Sequence, residues 1–123
     1  MKLRIKGNSI RLRLLKSEVE RFAAEGAISE QIGFGGSVLR YSLRMSDKAE
    51  SINARFANNE IEILIPEAGA RDWTGNGDVG FETEQAIGGG EALAIIIEKD
   101  FACVDRPDDP DREDAFPNPN VTC

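Results

Sequence analysis

One stretch constrains the fold of this chain more than any other. It runs from Glu91 to Cys103 and reads Glu-Ala-Leu-Ala-Ile-Ile-Ile-Glu-Lys-Asp-Phe-Ala-Cys. Isoleucine is β-branched and favours a pleated, half-buried surface over a helix, and the apolar side chains here fall on both faces of an extended chain. A strand that is apolar on both faces lies inside a sheet rather than at its edge. The stretch therefore predicts a central core strand, and Gly88–Gly90 predicts a turn before it.

Alternation of apolar with polar or charged residues predicts further strands along the chain. Gly7-Asn8, Gly35-Gly36 and Asn58-Asn59 each separate two alternating segments, which is typical of hairpins. The predicted strands are residues 2–6, 9–14, 27–34, 37–45, 52–56, 60–65, 79–84 and the stretch that begins at 91.

Two helices are predicted between these strands. Ser17 and Glu20 have the spacing of a capping box, and Gly26 supplies a left-handed C-cap, so the first helix spans about residues 17–25. Its apolar stripe, which includes Val19 and Phe22, is expected to cover the second face of the last strand. Pro66 suits a first helical turn and predicts a short second helix near residues 67–73.

Together these patterns predict an α+β fold for residues 1–103. We expect an antiparallel sheet of six to eight strands, strongly twisted or barrel-like, with the capped helix on one face. Leu93, Ile95, Ile97, Val19 and Phe22 are expected to be largely buried. Residues 104–123 are acidic and punctuated by proline, which predicts an extended tail outside the core. No internal repeat is apparent.

Charge is unevenly distributed over the chain. The net charge of the 123 residues is −7, but residues 1–45 carry nine basic against four acidic side chains. An acidic domain with few aromatic residues is unlike a nucleic-acid-binding protein. No apolar run is long enough for a membrane helix, and the N-terminal segment lacks the apolar core of a signal peptide. We therefore expect a cytoplasmic protein that binds neither nucleic acid nor membranes.

The chain has no histidine and only two cysteines, Cys103 and Cys123. Ser–His and Cys–His nucleophilic sites and the usual zinc sites are thereby excluded. Glu98 and Asp100 share a strand face, but two carboxylates are too few for a dedicated metal site. The sequence therefore predicts no catalytic residue, no metal and no cofactor.

Basic side chains recur on the polar faces of the predicted strands. They could form a surface for a phosphate or carboxylate ligand, because arginine offers a planar fork of donors. Alternatively they are the solvated side of an amphipathic sheet and pair with Glu60, Glu62, Glu82 and Glu84. The candidate ligand-binding residues are Arg4, Lys6, Arg11, Arg13, Arg40 and Arg44, and Lys2 belongs to the same pattern.

Three segments carry a family resemblance: Arg4-Ile-Lys-Gly-Asn-Ser-Ile-Arg-Leu-Arg-Leu14, Ile97-Glu-Lys-Asp-Phe-Ala-Cys103 and Phe116-Pro-Asn-Pro119. In these segments the chain resembles a family of small bacterial proteins of unknown function. The resemblance covers nearly the whole chain. It implies a bacterial cytosolic domain and gives no mechanism.

Eight short strands with charged alternate faces also resemble the triphosphate tunnel metalloenzymes. That resemblance implies a closed barrel lined by Arg, Lys and Glu. However, the family signature Glu-x-Glu-x-Lys is absent, since the first strand reads Lys2-Leu-Arg-Ile-Lys6 and neither Glu60-Ile-Glu62 nor Glu82-Thr-Glu84 is followed by the lysine.

Two functions therefore compete. The first is a small non-catalytic binding or interaction module that recognises an unknown protein or a small anionic ligand. The alternative is a metal-assisted phosphohydrolase or phosphate binder built on the basic residues. Convergence of Arg11, Arg13 and Arg40 on an enclosed space would favour the alternative.

Cys103 and Cys123 are expected to be reduced, because disulfides are rare in cytosolic proteins. Thiol titration of freshly purified, denatured protein should detect two free thiols. A titration that finds none, together with a crosslinked peptide in mass spectrometry, would contradict both the reduced state and the compartment.

Overall fold

The computed structural model describes residues 1–101 together with Asp114, Phe116 and Pro117. The described residues form eight strands and two helices, so both predicted helices and all predicted strands are present. Their bounds are β1 Lys2–Lys6, β2 Ser9–Leu14, α1 Lys16–Glu25, β3 Ala27–Gly33, β4 Val38–Ser46, β5 Asn53–Ala57, β6 Glu60–Pro66, α2 Glu67–Thr74, β7 Gly80–Gly88 and β8 Glu91–Lys99.

Several predictions fall partly or wholly on residues outside this description. Both cysteines and most of the predicted acidic tail lie outside the described residues, so the reduced state of the cysteines stays a prediction. Phe116 is described and is 96% exposed. Neither α1 nor α2 has the length and apolar character needed to cross a bilayer.

The strands form two mixed four-stranded sheets rather than one antiparallel sheet. Sheet A has the order β1-β2-β8-β7 and sheet B the order β3-β4-β6-β5. In each sheet two antiparallel hairpins meet through a parallel central pair, β2 with β8 and β4 with β6. The expectation of a single antiparallel sheet is wrong, because alternation and turn residues specify each hairpin but not its lateral neighbour.

The element order strand–strand–helix–strand–strand occurs twice, once from β1 to β4 and once from β5 to β8. Each half contributes one hairpin to each sheet. Buried residues recur at a constant separation in the two halves, which shows the internal repeat that was not apparent in the sequence. The matching buried pairs are Leu12 with Ile63, Leu14 with Ile65, Val19 with Ala70, and Phe22 with Trp73.

The core lies between the inward faces of the two sheets and is continuous with both helices. Phe22 of α1 makes an edge contact with Trp73 of α2 at 6.5 Å between ring centroids, and Trp73 makes another with Phe81 at 5.5 Å. Helix α1 leads from sheet A to sheet B, and α2 leads back. The registers therefore place the hairpin turns at the strand ends that are remote from the helices.

Strand β8 is central, as predicted, and its Ile95 and Ile97 are 1% and 0% exposed. Val19 and Phe22 are buried as expected, whereas Leu93 is only partly buried. Helix α1 does not cover the second face of β8. That face lies on the outer surface of sheet A, where Ile96 is flanked by Arg11 of β2 and by β7.

Helix α1 begins one position before the predicted start. Leu15 is the N-cap, and the Leu15 amide donates a hydrogen bond to the Glu18 carboxylate at 2.8 Å. Glu18, not Glu20, thus satisfies the N-cap amide, and Ser17 lies inside the first turn. Gly26 ends the helix with φ of 77°, which confirms the predicted left-handed cap.

The two sheets do not close into a barrel, and side chains bridge the gaps between their edges. The side-chain amide of Gln85 accepts a hydrogen bond from the backbone N–H of Ala54 at 2.6 Å. The same side chain donates a hydrogen bond to the backbone carbonyl of Ala54 at 3.0 Å. These paired bonds link β7 to β5. The barrel-like expectation, and with it the tunnel implied by the metalloenzyme resemblance, is wrong for the described strands, because their inward side chains form an apolar core.

Charged groups bridge the opposite gap, between β1 and β3. The buried Met1 ammonium forms ion pairs with Glu18 and, at 2.7 Å, with Glu30. The Tyr41 hydroxyl donates to the Met1 carbonyl at 2.9 Å. Burial and the neighbouring Glu30 carboxylate raise the pKa of Tyr41.

Replacing Ile97 with Ala should destabilise the protein by about 2–5 kcal/mol, because the change leaves a cavity in the core, where Ile97 is fully buried. Ile96→Ala is the matched control, since the same side chain is removed from the outer face of the same strand. Urea denaturation measures both. Equal losses in the two variants would contradict the assignment of the faces of β8.

Glu18 should make stability depend on pH. Burial alone would raise its pKa, but the hydrogen bonds from the Met1 ammonium and the Leu15 amide and the nearby positive charges outweigh burial and lower the pKa below that of an ordinary glutamate. The stabilisation is then complete above the unfolded-state pKa and is lost as the pH falls through the folded-state pKa.

We therefore expect Glu18→Gln to cost about 1–2 kcal/mol at pH 7. The difference from the wild type should shrink in acid, below the ordinary carboxyl pKa. Denaturant melts between pH 7 and pH 3 test this, with Glu20→Gln as a control on the exposed side of the same helix. A gap that widened in acid would contradict the assignment.

Candidate functional site

The predicted basic residues lie on two different surfaces. Arg11 and Arg13 point outward from sheet A, because Leu12 and Leu14 between them point into the core. Arg40 and Arg44 point outward from sheet B on the other side of the core. The structure therefore brings Arg4, Lys6, Arg11 and Arg13 together and separates them from Arg40 and Arg44. Arg11, Arg13 and Arg40 do not converge on an enclosed space.

The arginines of sheet B are engaged in a network across its outer face. Arg44 donates through Nε to Glu62 at 2.9 Å, and Arg55 donates through Nε to the other oxygen of the same carboxylate at 2.7 Å. Arg40 donates to the Gln31 side chain at 3.1 Å. In sheet B, basic and acidic strands lie side by side. This agrees with the alternative in which the basic side chains pair with glutamates of neighbouring strands.

Ser42 completes this network. It is only 1% exposed, although it lies on the outer face, and its hydroxyl donates to Glu60 at 2.7 Å. Arg44 approaches the same Glu60 carboxylate at 3.8 Å. The outer face of sheet B is thus internally neutralised. Ser42 and Arg55 are not among the predicted site residues, although Arg55 alternates with apolar neighbours on β5 and lies opposite Glu62 in the ladder.

Sheet A differs, because its two basic strands are neighbours. We define the basic face as the outward side chains of β1 and β2, which are Lys2, Arg4, Lys6, Arg11 and Arg13. The register sets Arg4 opposite Arg11 and Lys2 opposite Arg13. Like charges directly opposite each other across a ladder are destabilising. The basic face therefore concentrates positive charge at the edge of the sheet.

Two carboxylates from the end of β8 and the residue after it reach this face. Glu98 accepts a hydrogen bond from Arg13 Nε at 2.7 Å and lies 3.9 Å from Arg11 Nε. Lys2 Nζ donates to Asp100 at 3.0 Å. Glu98 and Asp100 are thus each bound to basic side chains. Arg4 and Lys6 also have partners of their own.

Strand β7 carries the other predicted partners, Glu82 and Glu84, on the same outer face. The ladder places them beyond β8, two strands away from β2, which is about 10 Å. Within residues 1–101, the ion pairs of the basic face are made by Glu98 and Asp100, not by these two carboxylates. The predicted pairing with Glu82 and Glu84 is therefore not found there.

Two open grooves occupy equivalent positions in the two halves of the fold. One, of about 450 Å³, lies between the start of α1 and the end of β8 and includes Val19, Lys99 and Phe101. The other, of about 440 Å³, lies between the start of α2 and the end of β4. Every buried side-chain polar atom among the described residues has a hydrogen-bond partner. Neither groove therefore presents a buried side-chain polar atom without a partner, and the basic face is the stronger candidate.

Large apolar side chains are exposed near the hairpin turns. Ile5 is 59% exposed, Phe34 68% and Phe56 66%. Exposed apolar groups at one end of a small domain are typical of contact surfaces. This end of the molecule adjoins the basic face at β1.

These features define a small α+β domain made of two repeated halves, with one neutralised outer face and one basic outer face. The chain matches the model of DUF7009, a family of unknown function, over residues 1–120, and it belongs to that family. No curated protein and no solved structure matches the chain. The family membership confirms the resemblance seen in the sequence and assigns no activity.

Proposed function

We propose that the protein is a non-catalytic binding module whose basic face holds an acidic segment of a partner protein. The observation that carries the proposal is the opposition of Arg4 to Arg11 and of Lys2 to Arg13 on adjacent strands. The repulsion between like charges favours carboxylates beside the two strands, and Glu98 and Asp100 already occupy part of the face. A bound anion placed between the strands converts the repulsion into attraction.

The shape of the face favours an extended segment over a small molecule. Small-molecule sites are concave, whereas the basic face is the outer surface of a sheet. Lys2, Arg4 and Lys6 alternate along β1 and repeat every 6–7 Å or so. Alternate side chains of an extended acidic peptide have the same spacing, so its carboxylates match the row. Arginine forks add bidentate contacts.

The charge of the rest of the molecule favours a short partner segment over a long polyanion. The chain carries −7 overall, and Glu82 and Glu84 lie on the same side of sheet A beyond β8. A nucleic acid that extended past β2 would meet those carboxylates. A segment confined to β1 and β2 would not.

A labelled deca-glutamate peptide should bind weakly, and its affinity should fall as salt is raised, because exposed charges are screened within about 8–10 Å. Arg4→Gln combined with Arg11→Gln should weaken binding about three- to tenfold, since each exposed ion pair contributes about 0.2–1 kcal/mol. Fluorescence anisotropy at two salt concentrations measures both effects.

The matched control is Arg21→Gln with Lys48→Gln, which removes two positive charges from exposed positions outside the basic face. Equal weakening in both double variants would show a general charge effect and contradict the proposed site. Pyrophosphate and ATP with Mg²⁺ are expected to release no phosphate. Release that disappears in Arg11→Ala with Arg13→Ala would contradict a non-catalytic module and favour a phosphohydrolase.

A further inference from the structure

We infer that the first part of this chain's own acidic tail, from Asp105 to Asp111, binds the basic face within the same molecule and competes with the partner. The inference rests on the proposed function, since it concerns occupation of the same face. It follows from three features: the position of Asp100 at the end of β8, the charge of the tail and the length of the tail.

The last contacts of the described domain place Asp100 beside one end of the basic face. The Asp100 amide donates to the Leu14 carbonyl at 2.8 Å, which continues the parallel ladder of β8 beside β2 by one residue. Lys2 Nζ donates to the Asp100 carboxylate at 3.0 Å. Asp100 therefore lies at the end of β2, and the Lys2 side chain reaches it from the start of β1.

The sequence that follows is of opposite charge. Residues 104–123 contain six acidic and two basic side chains. Three of the acidic residues, Asp105, Asp108 and Asp109, come within eight positions of Phe101. The positively charged edge and the negatively charged segment are therefore joined by a short connection.

The tail is long enough to follow β1. An extended residue spans about 3.3 Å, so Asp105 can lie up to about 13 Å from Phe101 and Asp109 up to about 26 Å. Lys2 to Lys6 spans about 13 Å on the same measure. Pro107 and Pro110 lack an amide donor and favour extended chain, so the segment suits side-chain contacts with the face better than a continuous ninth strand.

Covalent linkage gives the tail an advantage over a separate partner. A short covalent connection corresponds to an effective concentration of the order of millimolar. A partner must therefore exceed the tail in charge or contact area to displace it. The apolar groups near the hairpin turns, such as Ile5, offer a partner additional contacts of this kind.

Carbodiimide crosslinking tests the contact directly in the full-length protein. Zero-length amide crosslinks should join Lys2 or Lys6 to Asp105, Asp108 or Asp109 in the monomer fraction, as identified by peptide mass spectrometry. Lys48 is the internal control and should give no crosslink to the tail. Crosslinks found only between two copies would overturn binding within one molecule.

A charge variant tests the competition. Asp105→Asn, Asp108→Asn and Asp109→Asn together should make deca-glutamate bind at least threefold more tightly than to the wild type. Glu25→Gln, Asp47→Asn and Glu50→Gln remove the same number of negative charges from exposed positions elsewhere and should have a smaller effect. The inference is overturned if both triple variants gain affinity equally and the tail crosslinks are absent.

The two proposals fail in different ways. Tail crosslinks without deca-glutamate binding to any variant would support the intramolecular contact and reject the proposed partner. Deca-glutamate binding that depends on Arg4 and Arg11, with neither crosslinks nor a response to the tail variant, would support the binding module and reject the tail as its competitor.

Discussion

The parallel pairing of β2 with β8 is the constraint on which the rest of the structure depends. It sets Leu12 opposite Ile97, both essentially inaccessible to solvent, and joins segments from the two ends of the described domain. Isolated two-stranded hairpins are marginally stable, and a parallel pair requires a long connection. Here the connection between β2 and β8 contains all the other helices and strands except β1. Neither half of the repeat can complete a sheet alone, so the halves stabilise each other.

This pairing also determines where charge collects. In sheet B the corresponding parallel pair sets basic β4 beside acidic β6, and Arg44 reaches Glu62 across the ladder. In sheet A the partner of basic β2 is β8, whose outward residues are mostly apolar before Glu98. Acidic β7 lies one strand further away. The basic face is therefore a consequence of strand order, because the same composition in another order would have neutralised it.

Local features were predictable from the sequence. The hairpins, α1 and the burial of Ile95 and Ile97 follow from alternation, glycine turns and helical spacing. The division into two sheets was not predictable, because alternation assigns a side chain to a face but does not say which strand lies beside it. For the same reason, the sequence could not show that the predicted basic residues lie on two different sheets. The sequence did contain a sign of the internal repeat. Phe22 follows Leu14 by the same number of residues as Trp73 follows Ile65.

Strand β1 is an edge strand, and edge strands risk pairing with other molecules. Lysine and arginine on such an edge oppose that pairing, and Lys2, Arg4 and Lys6 place three of them on β1. Another copy's β1 carries the same charges and is repelled, whereas an acidic segment is attracted. The charges that keep copies of the domain apart thus also select the class of chain that can lie against the edge. The same basic side chains of an edge strand can therefore prevent pairing between copies of the domain and select an acidic binding partner.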